Sequence, residues 1–351
     1  MANENVFPAI SGIKHIIAVS SCKGGVGKST VCAYLAVEMA RRGFKVGLAD
    51  CDIHGPSVPT LFNLQHHSIQ LTPASRLKPV EKNNIKLMSF GFLLGDGPAV
   101  MRGPIVTRYV QQVLLNTEWG ELDYLFIDMP PGTGDVQLTI TQTLKLTGSI
   151  IVTTPQALSL VDVTRGILMF EKVNVPMLGI INNMAFFNCD ECSKKHFIFG
   201  REGAVSLQQR FGIPSLANLP ILPALAAHHV DTAPNAFFMD AADALIKAVA
   251  HVKERNLTEI PMVYADPNNI TLKWNDKSPW IVNNKKLRLN CQCALCIHEM
   301  TGEKILNTAA VKDDITAIKI IPLGNYALGI EWNDGHTSGI YSYELIKSLS
   351  Q

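Results

Sequence analysis

The sequence predicts an α/β fold with a mostly parallel sheet flanked by helices, followed by a small β-rich domain. Three observations carry this expectation. Short apolar runs alternate with helical patterns up to about residue 255, the texture of a parallel sheet covered on both faces. A glycine-rich turn joins the first strand to the first helix. Beyond residue 268 the helical patterns give way to short strands and turns.

Taken in order, residues 14–20 (KHIIAVS) read as a short buried strand. Residues 28–42 follow the glycine-rich turn with a helical pattern that stops at Arg41-Arg42 before Gly43. A second strand, 44–49, runs into Asp50-Cys51-Asp52. Further strand-like runs lie at 85–90, 123–127, 149–153 and 177–181, with helical patterns at 103–116 and 159–173. A helix near 236–254 closes the first domain, expected over 1–255. Residues 256–268 are polar and contain proline, which suits a linker. In 269–351 the runs ITLKW, WIV, KLRLN, TAIKIIPL and YALGIEW read as strands, with a short helix expected over 342–350. A domain this small is near the size at which a metal staple helps.

With 47% hydrophobic and 17% charged residues the chain can bury a substantial core. Its formal charge of +1 offers no basic field for nucleic acid. No apolar run approaches the ~18–20 residues of a membrane span, and the first fifteen residues have no apolar signal core. The expectation is a cytoplasmic protein with neither nucleic acid nor membrane as partner.

The segment Lys23-Gly24-Gly25-Val26-Gly27-Lys28-Ser29-Thr30 lies between a strand and a helix, the setting of a Walker A loop. Its glycines let backbone N–H groups converge on phosphates, and the helix N-terminus adds its positive dipole end. Lys28 is expected to reach the β- and γ-phosphates of ATP, and Ser29 to ligate Mg²⁺. The chain is therefore expected to be a P-loop NTPase. Cys22 stands where the common pattern has glycine. Asp128 ends the apolar strand YLFI, where a carboxylate can hold Mg²⁺ through water. Asp50 and Asp135 are either part of this machinery or loop caps.

Eight cysteines stand at 22, 32, 51, 189, 192, 291, 293 and 296. Five of them form two tight clusters, which in a reducing compartment favours metal ligation over disulfides. Cys32 and Cys51 lie in apolar segments and read as inert core. Cys189-Asp190-Glu191-Cys192 supplies two thiolates, half of a four-cysteine set. Two chains around a two-fold axis would complete it; a zinc half-site and a redox pair are the alternatives. Cys291, Cys293 and Cys296 want a soft metal and lack a fourth local ligand. His336 is the preferred candidate, because His298 sits too close in sequence to Cys296 for an unstrained tetrahedron. Zinc and iron–sulfur both remain open for this set.

The segments VSSCKGGVGKST, ADCDIHGPSVP, MRGP, IDMPPGTGDVQLT and TTPQALSLVDVTRG resemble the Mrp/ApbC branch of deviant Walker A ATPases over roughly residues 10–250. Lys23 is the mark of the deviant class, similar to MinD, ArsA and the nitrogenase iron protein. The resemblance implies a homodimeric iron–sulfur carrier that binds and hydrolyses ATP and passes clusters from a donor to recipient apoproteins. It further implies that Lys23 reaches a nucleotide across the dimer, that Asp52 positions the attacking water and that Asn183 contacts the base. It implies a bridging [4Fe–4S] cluster on Cys189 and Cys192. Cys22 and the added C-terminal domain are similar to the plastid high-chlorophyll-fluorescence scaffold type within that family. The pattern LRxNCxCxxC with a later EWxDGHxS resembles the N-terminal domain of γ-butyrobetaine hydroxylase-type proteins, which implies structural Zn²⁺ on Cys291, Cys293, Cys296 and His336. The weighed alternatives are a MinD/ParA-like positioning ATPase and a metal-insertion chaperone.

Overall fold

The computed structural model describes residues 10–350 except 54, 95–102, 133, 156–159, 190, 193, 201–211, 223–228, 231–232, 256–260, 275–277, 294–295, 298–302, 324–326 and 338. His298, Met101, Arg102 and Thr133 therefore lie outside the described residues, as does the side chain of Asp135. The chain divides near residue 250 into two compact units.

The first unit opens with β1 (Ile13–Ser20), α1 (Lys28–Arg41) and β2 (Val46–Asp50). A one-turn α2 (Val58–Leu61) follows, then the short strands β3 (Gln70–Leu71), β4 (Leu77–Lys78) and β5 (Val80–Lys82). Next come β6 (Ile85–Ser89), α3 (Phe90–Leu94), α4 (Gly103–Leu115) and β7 (Leu122–Asp128). The chain continues through α5 (Asp135–Thr143), β8 (Gly148–Thr153), α6 (Leu160–Lys172) and β9 (Met177–Asn188). It ends with β10 (Lys195–His196), β11 (Ser215–Pro220) and α7 (Ala236–Arg255).

The main sheet runs β10-β9-β8-β1-β7-β2-β6-β5, with β11 also on β9. Its central strands are parallel, and the two short strands β5 and β10 pair antiparallel at the edges. Central strands covered on both faces read as unbroken apolar runs, and Ile17–Val19 and Leu125–Ile127 are fully buried. The chain leaves β1 toward β2 on one side, while β8 lies on the other. The loop after β1 thus sits where the strand order reverses, the place where open α/β sheets bind ligands. On α7, Phe238, Ala241, Ala242, Leu245 and Val249 are buried at helical spacing, and Phe238 stacks on Tyr34 of α1 at 4.9 Å.

The second unit holds β12 (Met262–Ala265), β13 (Asn269–Lys273) and β14 (Trp280–Asn283) in one antiparallel sheet. After α8 (Asn284–Leu289), a second sheet is formed by β15 (Ala317–Leu323), β16 (Ala327–Trp332) and β17 (Gly339–Ser342), and α9 (Tyr343–Leu349) follows. Its core packs Ile270, Leu272, Val282, Leu287, Leu328, Trp332 and Tyr341 around the three clustered cysteines.

Two expectations are corrected here. Residues 262–265, assigned to the linker, form β12 and pair with β13. KLRLN, read as a strand, lies in α8 and its C-cap. Its alternating Leu-Arg-Leu imitates a period of two. Asn283, however, caps the helix by accepting from Lys286 N, and Asn284, Leu287 and Arg288 are buried at i, i+3 and i+4.

Candidate functional site

Parallel register builds the first site. Asp128 stands opposite both Val19 and Asp50, so three strand ends deliver the glycine loop and two carboxylates to one point. Gly25 and Gly27 hold φ of +79° and +82°, a region that disfavours side chains. Ser21, Gly24–Thr30, Asp52, Gly55 and Pro131 line part of a cavity of about 550 Å³. Lys23 is exposed on the same loop and is not among the lining residues.

Lys28 is buried at 6% exposure and bonds Asp128, with Asp52 Oδ2 at 3.9 Å and Ser29 Oγ at 3.3 Å. Burial works against its ammonium, yet Asp128, Asp52 and Asp50 together hold its pKa above the ordinary lysine value. Burial pushes the Asp128 carboxyl up, while Lys28 and Ser29 hold it back. Asp50 is fully buried, and desolvation plus the charge of Asp128 raise it to about 7. One lysine thus faces three carboxylates in a desolvated pocket. Asp128 Oδ2 is buried with no hydrogen-bond partner among the described residues. A surplus of carboxylate and an orphaned acceptor beside Ser29 fit a hydrated Mg²⁺.

Asp50 resolves toward loop support. Its carboxylate accepts from Asp52 N at 3.1 Å, Val58 N at 3.1 Å and Ser89 Oγ at 2.8 Å, pinning the turn that carries Asp52. Asp52 Oδ1 in turn accepts from Gly55 N at 3.3 Å. Gln137, which the sequence did not single out, donates to Ser20 Oγ and the Pro130 carbonyl and anchors the Pro-Pro turn after Asp128.

Asn183 lies within β9, which is longer than the run 177–181 suggested. Its amide donates to the Val26 carbonyl at 2.9 Å. A Cβ on Gly27 would come within 2.4 Å of that amide nitrogen, so any larger residue there would push the Asn183 side chain aside as well as strain φ. The same strand continues to Asn188 and delivers Cys189 at its end. Cys22 packs against α6: a Cβ on Gly166 would lie 2.7 Å from its sulfur. Cys32 and Cys51 are fully buried.

Ligand atoms of Cys189, Cys192 and His196 lie within 4.8 Å of one another, with Cys189 half-buried and the other two exposed. Sequence reasoning missed His196. Its only signal is that β10 folds back on β9, a long-range pairing with no local turn motif to announce it.

Cys291, Cys293, Cys296 and His336 are all buried and likewise converge within 4.8 Å. His336 Nε2 lies 3.2 Å from Cys291 Sγ and 3.5 Å from Cys293 Sγ. The neighbouring sulfurs and burial push the Cys291 thiol far up, so three thiolates coexist here only against a cation. Arg288 donates to Cys296 Sγ at 3.4 Å and to Asp334 Oδ2 at 2.8 Å; Asp334 also accepts from His336 N at 3.0 Å. These two supporting residues were legible only as neighbours of the ligands. The donor set fits a closed tetrahedral Zn²⁺ site with its orienting shell.

Comparison with known proteins agrees with this anatomy. Residues 12–256 match the family described as NUBPL iron-transfer P-loop NTPase, and residues 263–347 match the γ-butyrobetaine hydroxylase-like N-terminal domain. The chain is 39% identical over 354 residues to the chloroplastic Fe-S cluster assembly factor HCF101 of Arabidopsis thaliana; that match covers 97% of this chain and 66% of the plant protein. It is 48% identical over 219 residues to the iron-sulfur cluster carrier protein of Aquifex aeolicus, covering 62% of this chain and 60% of that one. A nucleotide-binding protein of Archaeoglobus fulgidus, solved in complex with ADP, is 38% identical with a TM-score of 0.56, covering 67% of this chain and 89% of that one. Among the described residues no helix is long and apolar enough to cross a membrane. With its glycine loop, its paired carboxylates and its match over 12–256, the chain belongs to the NUBPL iron-transfer P-loop NTPase family.

Proposed function

We propose that this chain is an ATP-hydrolysing carrier that assembles [4Fe–4S] clusters or hands them to apoproteins. The observation that carries this reading is β9. One strand braces the phosphate loop through Asn183 and ends in the thiol pair Cys189 and Cys192. A shift of the loop on nucleotide binding therefore has a direct path to the cysteines. The names of the plant and Aquifex relatives support the same reading.

In this function the backbone N–H groups of Gly24–Thr30 and Lys28 hold the phosphates, and Ser29 and Asp128 hold Mg²⁺, which supplies charge neutralisation at the phosphates when bound. Asp52 orients the attacking water, and Asp50 fixes the turn that presents it. A four-iron cluster takes four thiolates and one chain offers two at this point, so the cargo is held by a homodimer. Lys23, exposed on the loop, faces the second subunit's nucleotide in that dimer. Cys291, Cys293, Cys296 and His336 hold structural Zn²⁺ in the second unit. The accessible thiols Cys189 and Cys192 suit a reducing cytoplasm.

The test is anaerobic reconstitution with iron, sulfide and zinc quantified for wild type and Cys189→Ala. The variant is expected to lose iron and sulfide and keep its zinc. Loss of zinc alone would reverse the assignment of the two centres, and equal iron and sulfide in both proteins would end the carrier reading.

A further inference from the structure

The hairpin of β9 and β10 decides which side chains meet. His196 pairs with Phe187 and Lys195 with Asn188 in antiparallel register, and Cys189 N donates to the Lys194 carbonyl at 3.0 Å. Directly opposed residues share a face, and alternate residues along a strand share it too. Phe187, Cys189 and His196 therefore lie on one face of the hairpin. Lys195 and Phe197 fall on the other, where the Lys195 ammonium sits 4.5 Å above the Phe186 ring and Phe197 packs 6.0 Å from it. This register turns the imidazole toward the thiols and the adjacent lysine away from them. A slip of one residue would exchange the two.

We propose that His196 is a third metal ligand beside Cys189 and Cys192, so that one chain alone can hold a single divalent ion of borderline softness such as Fe²⁺. The proposal rests on the carrier reading of the two cysteines. Two thiolates and one imidazole make a three-donor set suited to such ions, and a tetrahedral ion keeps its fourth position open. Cys192 and His196 are exposed and Cys189 is half-buried, so an ion can enter and leave without unfolding. In a two-fold dimer the same residues supply four thiolates and two imidazoles. That is two donors more than the four corners of a [4Fe–4S] cargo need, and a site with surplus donors can exchange a ligand as the cargo changes hands.

The test is an anaerobic Co²⁺ titration of the full chain, read by d–d and thiolate charge-transfer absorption. The spectrum of Cys189→Ala is subtracted, which removes any Co²⁺ bound elsewhere. The expected result is one Co²⁺ per chain in wild type. His196→Ala should weaken binding at least about tenfold and alter the d–d bands. His196→Gln should behave like His196→Ala, while His196→Cys should restore affinity and add thiolate absorption. Far-UV circular dichroism and the thermal midpoint verify that each variant is folded. Isotherms and spectra of His196→Ala and His196→Gln superimposed on wild type would overturn the proposal, as would half a Co²⁺ per chain. Failure of the carrier reading is a separate outcome, visible as equal iron and sulfide in reconstituted wild type and Cys189→Ala.

Discussion

The Asn183 amide donates to the Val26 carbonyl at 2.9 Å and ties the phosphate loop to the strand that ends at Cys189. A bond of this kind contributes about 0.5–1.5 kcal/mol net. Asn183→Ala is therefore expected to weaken ATP binding roughly three- to tenfold and to uncouple cluster release from nucleotide. Equilibrium binding and cluster-transfer rates with and without an ATP analogue read the two effects. Equal dependence on nucleotide in variant and wild type would show that β9 does not carry the coupling.

Lys28 pairs with Asp128, stands 3.9 Å from Asp52 Oδ2 and is expected to hold phosphate as well. Lys28→Ala leaves three carboxylates without their cation, and breaking a buried pair costs about 3–5 kcal/mol. The variant is expected to lose ATPase activity and melt earlier, and Lys28→Ala with Asp128→Asn should recover part of the stability but none of the activity. Asp52→Asn should keep nucleotide affinity and slow hydrolysis by two orders of magnitude or so. Retained turnover in Lys28→Ala would contradict the placement of the phosphate site.

Asp50 gives a pH dependence of defined sign. Its folded pKa of about 7 lies above its ordinary value of 3.8, so the fold favours the protonated acid. Its contribution is full below about pH 4 and is lost as pH rises through 7. Urea unfolding between pH 5 and 8 should show stability falling by up to a few kcal/mol, with a flatter profile in Asp50→Asn. Mg²⁺-nucleotide should flatten it too, by supplying cations to the same carboxylates. A wild-type slope identical to that of Asp50→Asn would remove Asp50 as the source.

Cys22 and Gly166 are matched. A methyl on Gly166 would lie 2.7 Å from the Cys22 sulfur, so the departure from the common loop pattern is accommodated by a glycine on α6. Gly166→Ala gains helix propensity but crowds the thiol. Its effect should be about 1 kcal/mol more favourable in a Cys22→Ala background than in wild type. Additive effects in the double-mutant cycle would show that the two do not touch in solution.

Legibility in the sequence followed the range of the interaction. The glycine loop, Asp52 and Asp128 are marked by local chemistry at strand ends, and the parallel sheet by its apolar runs. His196 was hidden because cross-strand register is a long-range property. The chain around it, Lys-Lys-His-Phe, gives no sign that its first and third residues share a face with Cys189 while the second and fourth do not. KLRLN misled because a one-and-a-half-turn helix is too short for its period to outweigh an accidental alternation, and its cap at Asn283 lies outside the run. His336 was readable from the resemblance of its segment, while the Arg288–Asp334 pair that frames it depends on the tertiary fold.

The second unit is small, and its core is built around Cys291, Cys293 and Cys296. Without a cation those sulfurs must be thiols beside Arg288, a buried guanidinium partly neutralised by Asp334. With Zn²⁺ the three thiolates and His336 leave one net negative charge, which Arg288 offsets. Metal binding at such sites supplies about 10–16 kcal/mol of folding free energy at neutral pH, more than the whole stability of most small domains. Chelation is therefore expected to melt the second unit while ATP binding by the first persists. His336→Ala should lower zinc affinity severely; Arg288→Ala, which removes only a supporting contact, should lower it about 10–100-fold. Zinc content, near-ultraviolet dichroism and ATP binding, followed during chelation, separate these outcomes. Near-ultraviolet dichroism unchanged after complete zinc removal would show that the four ligands are not its staple.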